Sequence, residues 1–180
     1  MPEFTRIIPA GDNRERQVCG ACGYIAYENP KVIIGSVVEH GGKVLLCRRA
    51  IEPRSGFWTL PAGYLELNET AAEGARREAM EEAGAEIALD GVLALYDVSR
   101  IGQIQIIYRA RLVKPGIAAG PESLEVGLFA WDDIPWNLLA FPSVRWALNA
   151  WHDAGAGPLG APAGNPAEDL RGIRRLEAAL

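Results

Sequence analysis

Cysteine, histidine and methionine are scarce: the 180-residue chain has three, two and two of them. An odd and small cysteine count excludes a disulfide framework. The two histidines, His40 and His152, lie too far along the chain to complete an evident metal site with Cys19 and Cys22. No apolar run approaches the roughly 18 residues that a membrane-spanning helix requires. The opening MPEFTRIIPAGDNRERQ has no apolar signal core, so the expected location is the cytoplasm. No long basic run is present and the net charge is −5, which argues against a nucleic-acid surface. No internal repeat is present either, so a solenoid is excluded.

Hydrophobic residues make up 49% and charged residues 23%, the balance of a globular domain with a real core. The length suits one domain plus appendages. Residues 1–30 read as an N-terminal extension, 31–153 as the main domain, and 154–180 as a Gly/Ala/Pro linker and tail. In the extension, residues 1–16 look extended, and Cys19 to Tyr27 reads as a tight hairpin. The β-branched run Val32 to Val38 predicts a buried strand, and Gly41-Gly42 turns it into a partner, Lys43 to Arg49. Strands are also expected over Gly91–Val98, Gln103–Val113 and Leu128–Trp131, and a second helix over Pro142–His152. In the tail, Leu170, Ile173 and Leu176 fall at a rough helical period that Gly172 weakens.

One 23-residue stretch, Gly63 to Ala85, carries the chemistry: GYLELNETAAEGARREAMEEAGA. Thr70 followed by Glu73 is a capping box, and Gly84 suits the left-handed position beyond a helix end, so a helix is predicted over Ala71–Ala83. On it Glu78, Glu81 and Glu82 stand at i, i+3 and i+4 and share one face. Carboxylates that crowded need an offsetting cation, and hard oxygen ligands suit Mg²⁺, with Mn²⁺ possible. Ala72, Ala79 and Ala83 form an opposite stripe, expected to lie close on a sheet.

The stretch fits G-x5-E-x7-R-E-U-x-E-E-x-G-U at every fixed position, where U is small or aliphatic. In this respect it resembles the signature of the Nudix hydrolases, and the likeness extends over about residues 14 to 152. The resemblance implies an α/β fold, a Nudix-type α/β/α sandwich with a mixed sheet, here with a short N-terminal knuckle or hairpin. It implies hydrolysis of a nucleoside diphosphate linked to another group. Glu78, Glu81 and Glu82 match metal-binding glutamates, and the carbonyl of Ala62 matches a further ligand. Gly63 opens the loop into the helix, Arg77 matches a structural residue paired with Glu69, and Gly84 closes the motif. The catalytic base often lies outside this segment in relatives. By position Glu125 is the first choice for base or extra ligand, and Glu122 the second.

Arg48, Arg49 and Arg54 are candidates for binding phosphate or ribose. Phe57, Trp58, Tyr64 and Tyr96 could stack a base, with core packing the alternative for each. Cys19-Gly-Ala-Cys22 has zinc-knuckle spacing and resembles half of the zinc ribbon that heads some Nudix proteins. Structural zinc wants four ligands, and no cysteine precedes Cys19, so Zn²⁺ at Cys19 and Cys22 is not expected. The context RRAIEPRSGFWTLPAGYLE looks like that of bacterial ADP-ribose and FAD pyrophosphatases, whereas the Ser-Gln-Pro-Trp-Pro-Phe-Pro array of NADH pyrophosphatases is missing from EIALDGVLALYDVSRIGQIQ. ADP-ribose or FAD is therefore the expected substrate, with AMP released and a homodimer as the expected assembly. The alternatives are a house-cleaning hydrolase of non-standard nucleotides and a non-catalytic nucleotide-binding Nudix module.

Overall fold

The run of β-branched residues after Pro30 builds the central strand of the protein. A computed structural model describes residues 3–167. The described residues divide into two compact units, one ending at Pro30 and one beginning at Lys31. Leu170, Ile173 and Leu176 lie outside the described residues.

The first unit is a three-stranded antiparallel sheet of β1 (Phe4–Ile7), β2 (Arg16–Cys19) and β3 (Ile25–Ala26). The expected hairpin is β2 and β3, and its turn is closed by Gly23, whose φ of 73° suits glycine. The segment read as extended pairs through β1 with β2. Within the turn the Cys19 sulfur accepts the main-chain N–H groups of Cys22 and Ala21, which lowers its thiol pKa. Both cysteines carry free thiols.

The second unit is built on a mixed sheet of seven strands. These are β4 (Lys31–His40), β5 (Lys43–Arg49), β6 (Trp58–Thr59), β7 (Ala62–Tyr64), β8 (Ile87–Val98), β9 (Gln103–Leu112) and β10 (Ser123–Phe129). The main order is β10-β5-β4-β9-β8, with β6 beside β5 and β7 beside β4. Only the β4–β9 pairing is parallel among these. Successive residues of a strand face opposite sides of a sheet. Val38, Leu45 and Cys47 therefore pack under α1 (Ala71–Ala83), and Val37, Leu46 and Ile107 under α2 (Pro142–Ala154). The result is the expected α/β/α sandwich.

Three expectations need adjusting. The strand β8 begins at Ile87, not Gly91, because Asp90-Gly91 forms a bulge inside it rather than a turn; Gly91 has φ 154°. The strand β10 begins at Ser123, and its pairing with β5 shifts register between Ser123 and Glu125. The Gly/Ala/Pro stretch after α2 is tied down. Ala163 exchanges main-chain hydrogen bonds with Leu93 and Leu95 of β8, and the Asn165 side chain both donates to the Asp97 carbonyl and accepts its N–H. Arg109 holds the carbonyls of Gly155 and Gly157 at 3.0 and 2.8 Å.

Candidate active site

Helix α1 starts and stops where the local chemistry dictates. Thr70 accepts from the Glu73 N–H at 3.2 Å, and the Glu73 carboxylate accepts from the Thr70 N–H at 2.7 Å. Gly84 ends the helix at φ 59°, with its N–H bonded to the Met80 carbonyl and the Ala85 N–H to the Ala79 carbonyl.

The helix presents its glutamates differently from the back-to-back arrangement expected. Its buried side is Ala75, Ala79 and Ala83 together with Glu78 and Glu82, while Ala72 is only half-buried in the first turn. The alanine stripe and the carboxylates adjoin. Glu78 and Glu82 are thus turned inward, 7% and 6% exposed, whereas Glu81 points to solvent.

Strand β7 supplies the floor. Ala62 and Gly63 pair with Gly35 and Ile34 of β4. The Glu82 carboxylate accepts the Ala62 N–H at 3.2 Å. The Glu78 carboxylate lies directly over Gly63: a Cβ built there would stand 2.3 Å from Glu78 Oε1. Only glycine leaves that cradle open.

Arg77 ties these parts together. Its Nε and Nη2 donate to the two oxygens of Glu69 at 3.0 and 2.8 Å, a bidentate pair. The same Nη2 donates to the Tyr64 carbonyl at 3.0 Å, and Nη1 bridges Glu78 and Glu81 at 2.7 and 2.9 Å. Glu69 also accepts the Glu66 N–H at 2.7 Å. The Arg77 guanidinium and that N–H hold the Glu69 carboxyl down at about 2.

Burial works the other way on the inward glutamates. It raises Glu78, against the pull of Arg77, and pushes Glu82 up to about 8 despite the Ala62 N–H and the nearby Arg49. The charge of Glu122 adds to the rise at both. Both acids are exposed; the charge of Glu122 reaches the buried pair, while Glu125 on β10 faces Arg48 at 3.5 Å.

The three arginines also part company. Arg49 donates to the Pro53 carbonyl at 2.9 Å, lies over the Phe141 ring and acts electrostatically on Glu82. Arg48 is engaged by the Gly56 carbonyl and Glu125. Arg54 lies over Phe57. Trp58 and Tyr96 are core residues, packed edge-on against Phe129 and Trp146. Tyr64 is half-exposed, with the Lys31 ammonium 5.1 Å from its ring centre. Two neighbours of the site carried no sequence signal: Cys47, buried beside Glu82, and Gly120, whose N–H donates to the Glu82 carbonyl.

Among the described residues, no three acidic, histidine or cysteine side chains converge on one point in this arrangement. The donors nevertheless fit a hard divalent cation: carboxylates from one helix, an adjacent main chain, and a glycine floor that a Cβ would fill. The Arg77 Nη1 between Glu78 and Glu81 is itself a cationic group offsetting two of them.

The family model of the NUDIX domain matches residues 29–149, and that of the Nudix N-terminal zinc ribbon matches residues 3–28. The chain belongs to the Nudix hydrolases. It is therefore similar to enzymes that cleave pyrophosphates, and is one of them. A MutT-like protein of Streptomyces ambofaciens is 31% identical over 68% of this chain and 77% of its own length. An ADP-ribose pyrophosphatase of Methanocaldococcus jannaschii is 28% identical over 62% of this chain and 69% of its own. Among solved structures, a Nudix hydrolase of Nitrosomonas europaea superposes with a TM-score of 0.82 at 42% identity, covering 91% of this chain and 92% of that one. Among the described residues of this Nudix hydrolase, no helix is long and apolar enough to cross a membrane.

Proposed function

We propose that this Nudix hydrolase cleaves the pyrophosphate of ADP-ribose or FAD in a Mg²⁺-dependent reaction, releasing AMP. The observation that carries the reading is the inward pair Glu78 and Glu82, set against the main chain of Ala62 and Gly63 with Glu122 in electrostatic reach. Glu78, Glu81, Glu82 and the Ala62 carbonyl are the groups that would hold the cation. When bound, Mg²⁺ or Mn²⁺ supplies charge neutralisation at the phosphate oxygens and lowers the pKa of an attacking water.

The chain's own residues do the remainder. Glu122 accepts the proton of the attacking water; its charge acting on Glu78 and Glu82 supports this choice, with Glu125 the alternative. Arg49, braced by Pro53 and Phe141, offers its remaining N–H groups to the substrate phosphates. Arg77 and Glu69 fix the loop before α1 and keep Glu78 aimed across Gly63. Tyr64 offers a half-exposed ring for stacking adenine or flavin. The adenosine-diphosphate choice rests on the context of residues 48–66, on the missing proline array and on likeness to a relative named ADP-ribose pyrophosphatase.

The test is product analysis with purified protein, Mg²⁺ and a panel of ADP-ribose, FAD, NADH, diadenosine polyphosphates and 8-oxo-dGTP. AMP from ADP-ribose or FAD is expected. Turnover of 8-oxo-dGTP alone rejects the substrate, and no turnover of any compound rejects the catalytic reading. The same preparation is expected to behave as a homodimer in light scattering, and a single 19.4 kDa species rejects that assembly.

A further inference from the structure

We propose that Gly120 is a positioning residue: it lets the loop over residues 118–122 seat on the last turn of α1, so that Glu122 and the helix glutamates are held as one rigid unit. The inference rests on the pyrophosphatase reading above, and on Glu122 as the proton acceptor within it.

The geometry is a two-sided clasp. The final carbonyls of a helix have no partner inside it. Here the Ala83 carbonyl accepts the Ala118 N–H at 2.8 Å, and the Glu82 carbonyl accepts the Gly120 N–H at 3.1 Å. On the other side, the Glu122 carbonyl accepts the Ala50 N–H at 2.8 Å, and the Ser123 N–H donates to the Gly120 carbonyl at 3.0 Å. Glu122 is thus pinned between an anchor on the helix and an anchor beyond β5.

Gly120 is what allows the first anchor. A Cβ at this position would stand 1.7 Å from the Glu81 carbonyl oxygen and 2.8 Å from its carbon. Those are main-chain atoms of a helix, and they cannot swing aside as a side-chain tip can. The φ of Gly120 lies outside the left-handed region, so the requirement is closeness alone. The residues clasped, Glu81 to Ala83, include two of the proposed cation-holding glutamates. The loop acid and the helix acids therefore share one frame, and a loop lifted by one methyl group would carry Glu122 away from Glu78 and Glu82. Misplacement by about 1 Å at a reacting group costs on the order of 10²-fold in rate.

The experiment is a double-mutant cycle in the full chain, with ADP-ribose and Mg²⁺. Gly120→Ala is expected to lower kcat by about 10- to 100-fold with KM within about threefold, the pattern of a lost transition-state contribution. Glu122→Gln is expected to lose at least as much, and the double variant no more than Glu122→Gln alone. Losses that multiply mean that Gly120 acts by another route and overturn the inference. So does a slow Glu122→Gln beside a Gly120→Ala with wild-type kcat, an outcome that leaves the pyrophosphatase reading intact. An inactive wild-type protein rejects the pyrophosphatase reading, a Glu122→Gln with wild-type kcat rejects Glu122 as the proton acceptor, and the inference falls with either. If Gly120→Ala does not fold, amide exchange on the wild-type chain decides. The Ala118 and Gly120 amides are expected to exchange together with those of the last turn of α1. Exchange orders of magnitude faster at both overturns the clasp.

Discussion

The carboxylate of Glu78 occupies the space in which a side chain at Gly63 would stand, with only 2.3 Å between its Oε1 and a Cβ built there. The floor of the site and the Glu78 carboxylate are therefore a single fitted pair, one from β7 and one from α1. Gly63→Ala must push Glu78 out of the cradle and break its contact with Arg77. We expect kcat/KM to fall by about 10²-fold and the Mg²⁺ concentration for half-maximal activity to rise. A titration of activity against Mg²⁺ checks this, and a wild-type curve would sink the pairing.

Glu82 makes the cation-free protein sensitive to alkali. Its folded pKa of about 8 lies above its ordinary 4.5, so between those values the folded state keeps a proton that the unfolded chain has released. Stability is fully present below about 4.5 and falls as pH rises through about 8. The loss is on the order of a few kcal/mol for a group so deeply buried. Urea melts in EDTA at pH 5 to 8 should show a falling wild-type curve and a flatter one for Glu82→Gln. Parallel curves would mean that Glu82 is ionised throughout.

Glu69 behaves oppositely. Its folded pKa, about 2, lies below the ordinary 4.5, so its contribution is present above 4.5 and lost as pH falls towards 2. Glu69→Gln should melt several degrees below wild type at pH 7, and the gap should narrow as pH falls from 4.5 towards 2. A gap that stays constant with pH would show that the bidentate charge pairing is not the source.

The arginines should separate kinetically. Arg49→Ala is expected to raise KM about tenfold with a smaller change in kcat, as uniform binding of a phosphate predicts. Arg54→Ala, whose guanidinium lies over Phe57, should stay within about twofold of wild type for both constants. Equal effects from the two would remove the distinction drawn from the geometry.

Much of the site was legible because its signals are local. Thr70, Glu73 and Gly84 dictate α1 within a few residues of themselves, and the spacing of Glu78, Glu81 and Glu82 follows from helical pitch. The β-branched run of β4 and the Gly-Gly turn were legible for the same reason. What was not legible depends on partners far away in sequence. A register shift between Ser123 and Glu125 is set by pairing with β5, and no residue type announces it, so position alone could not place these acids on the strand. The strand expected from Gly91 begins earlier, at Ile87, because β9 continues alongside and pairs with both sides of the bulge at Asp90. Trp58 and Tyr64 are equally aromatic on paper; one is core and the other half-exposed only because of what packs over each.

The stretch that pairs with β8 through Ala163 and Asn165 has a practical bearing. An outermost strand normally offers its main-chain groups to any extended peptide that drifts past, and this one meets that hazard with a short length of its own chain and one side-chain amide. For anyone shortening the protein or attaching a reporter, the natural boundary is therefore beyond Asn165 rather than at the end of the last helix. Cutting at Ala154 would leave the main-chain groups of Leu93 to Asp97 open to pairing with another molecule.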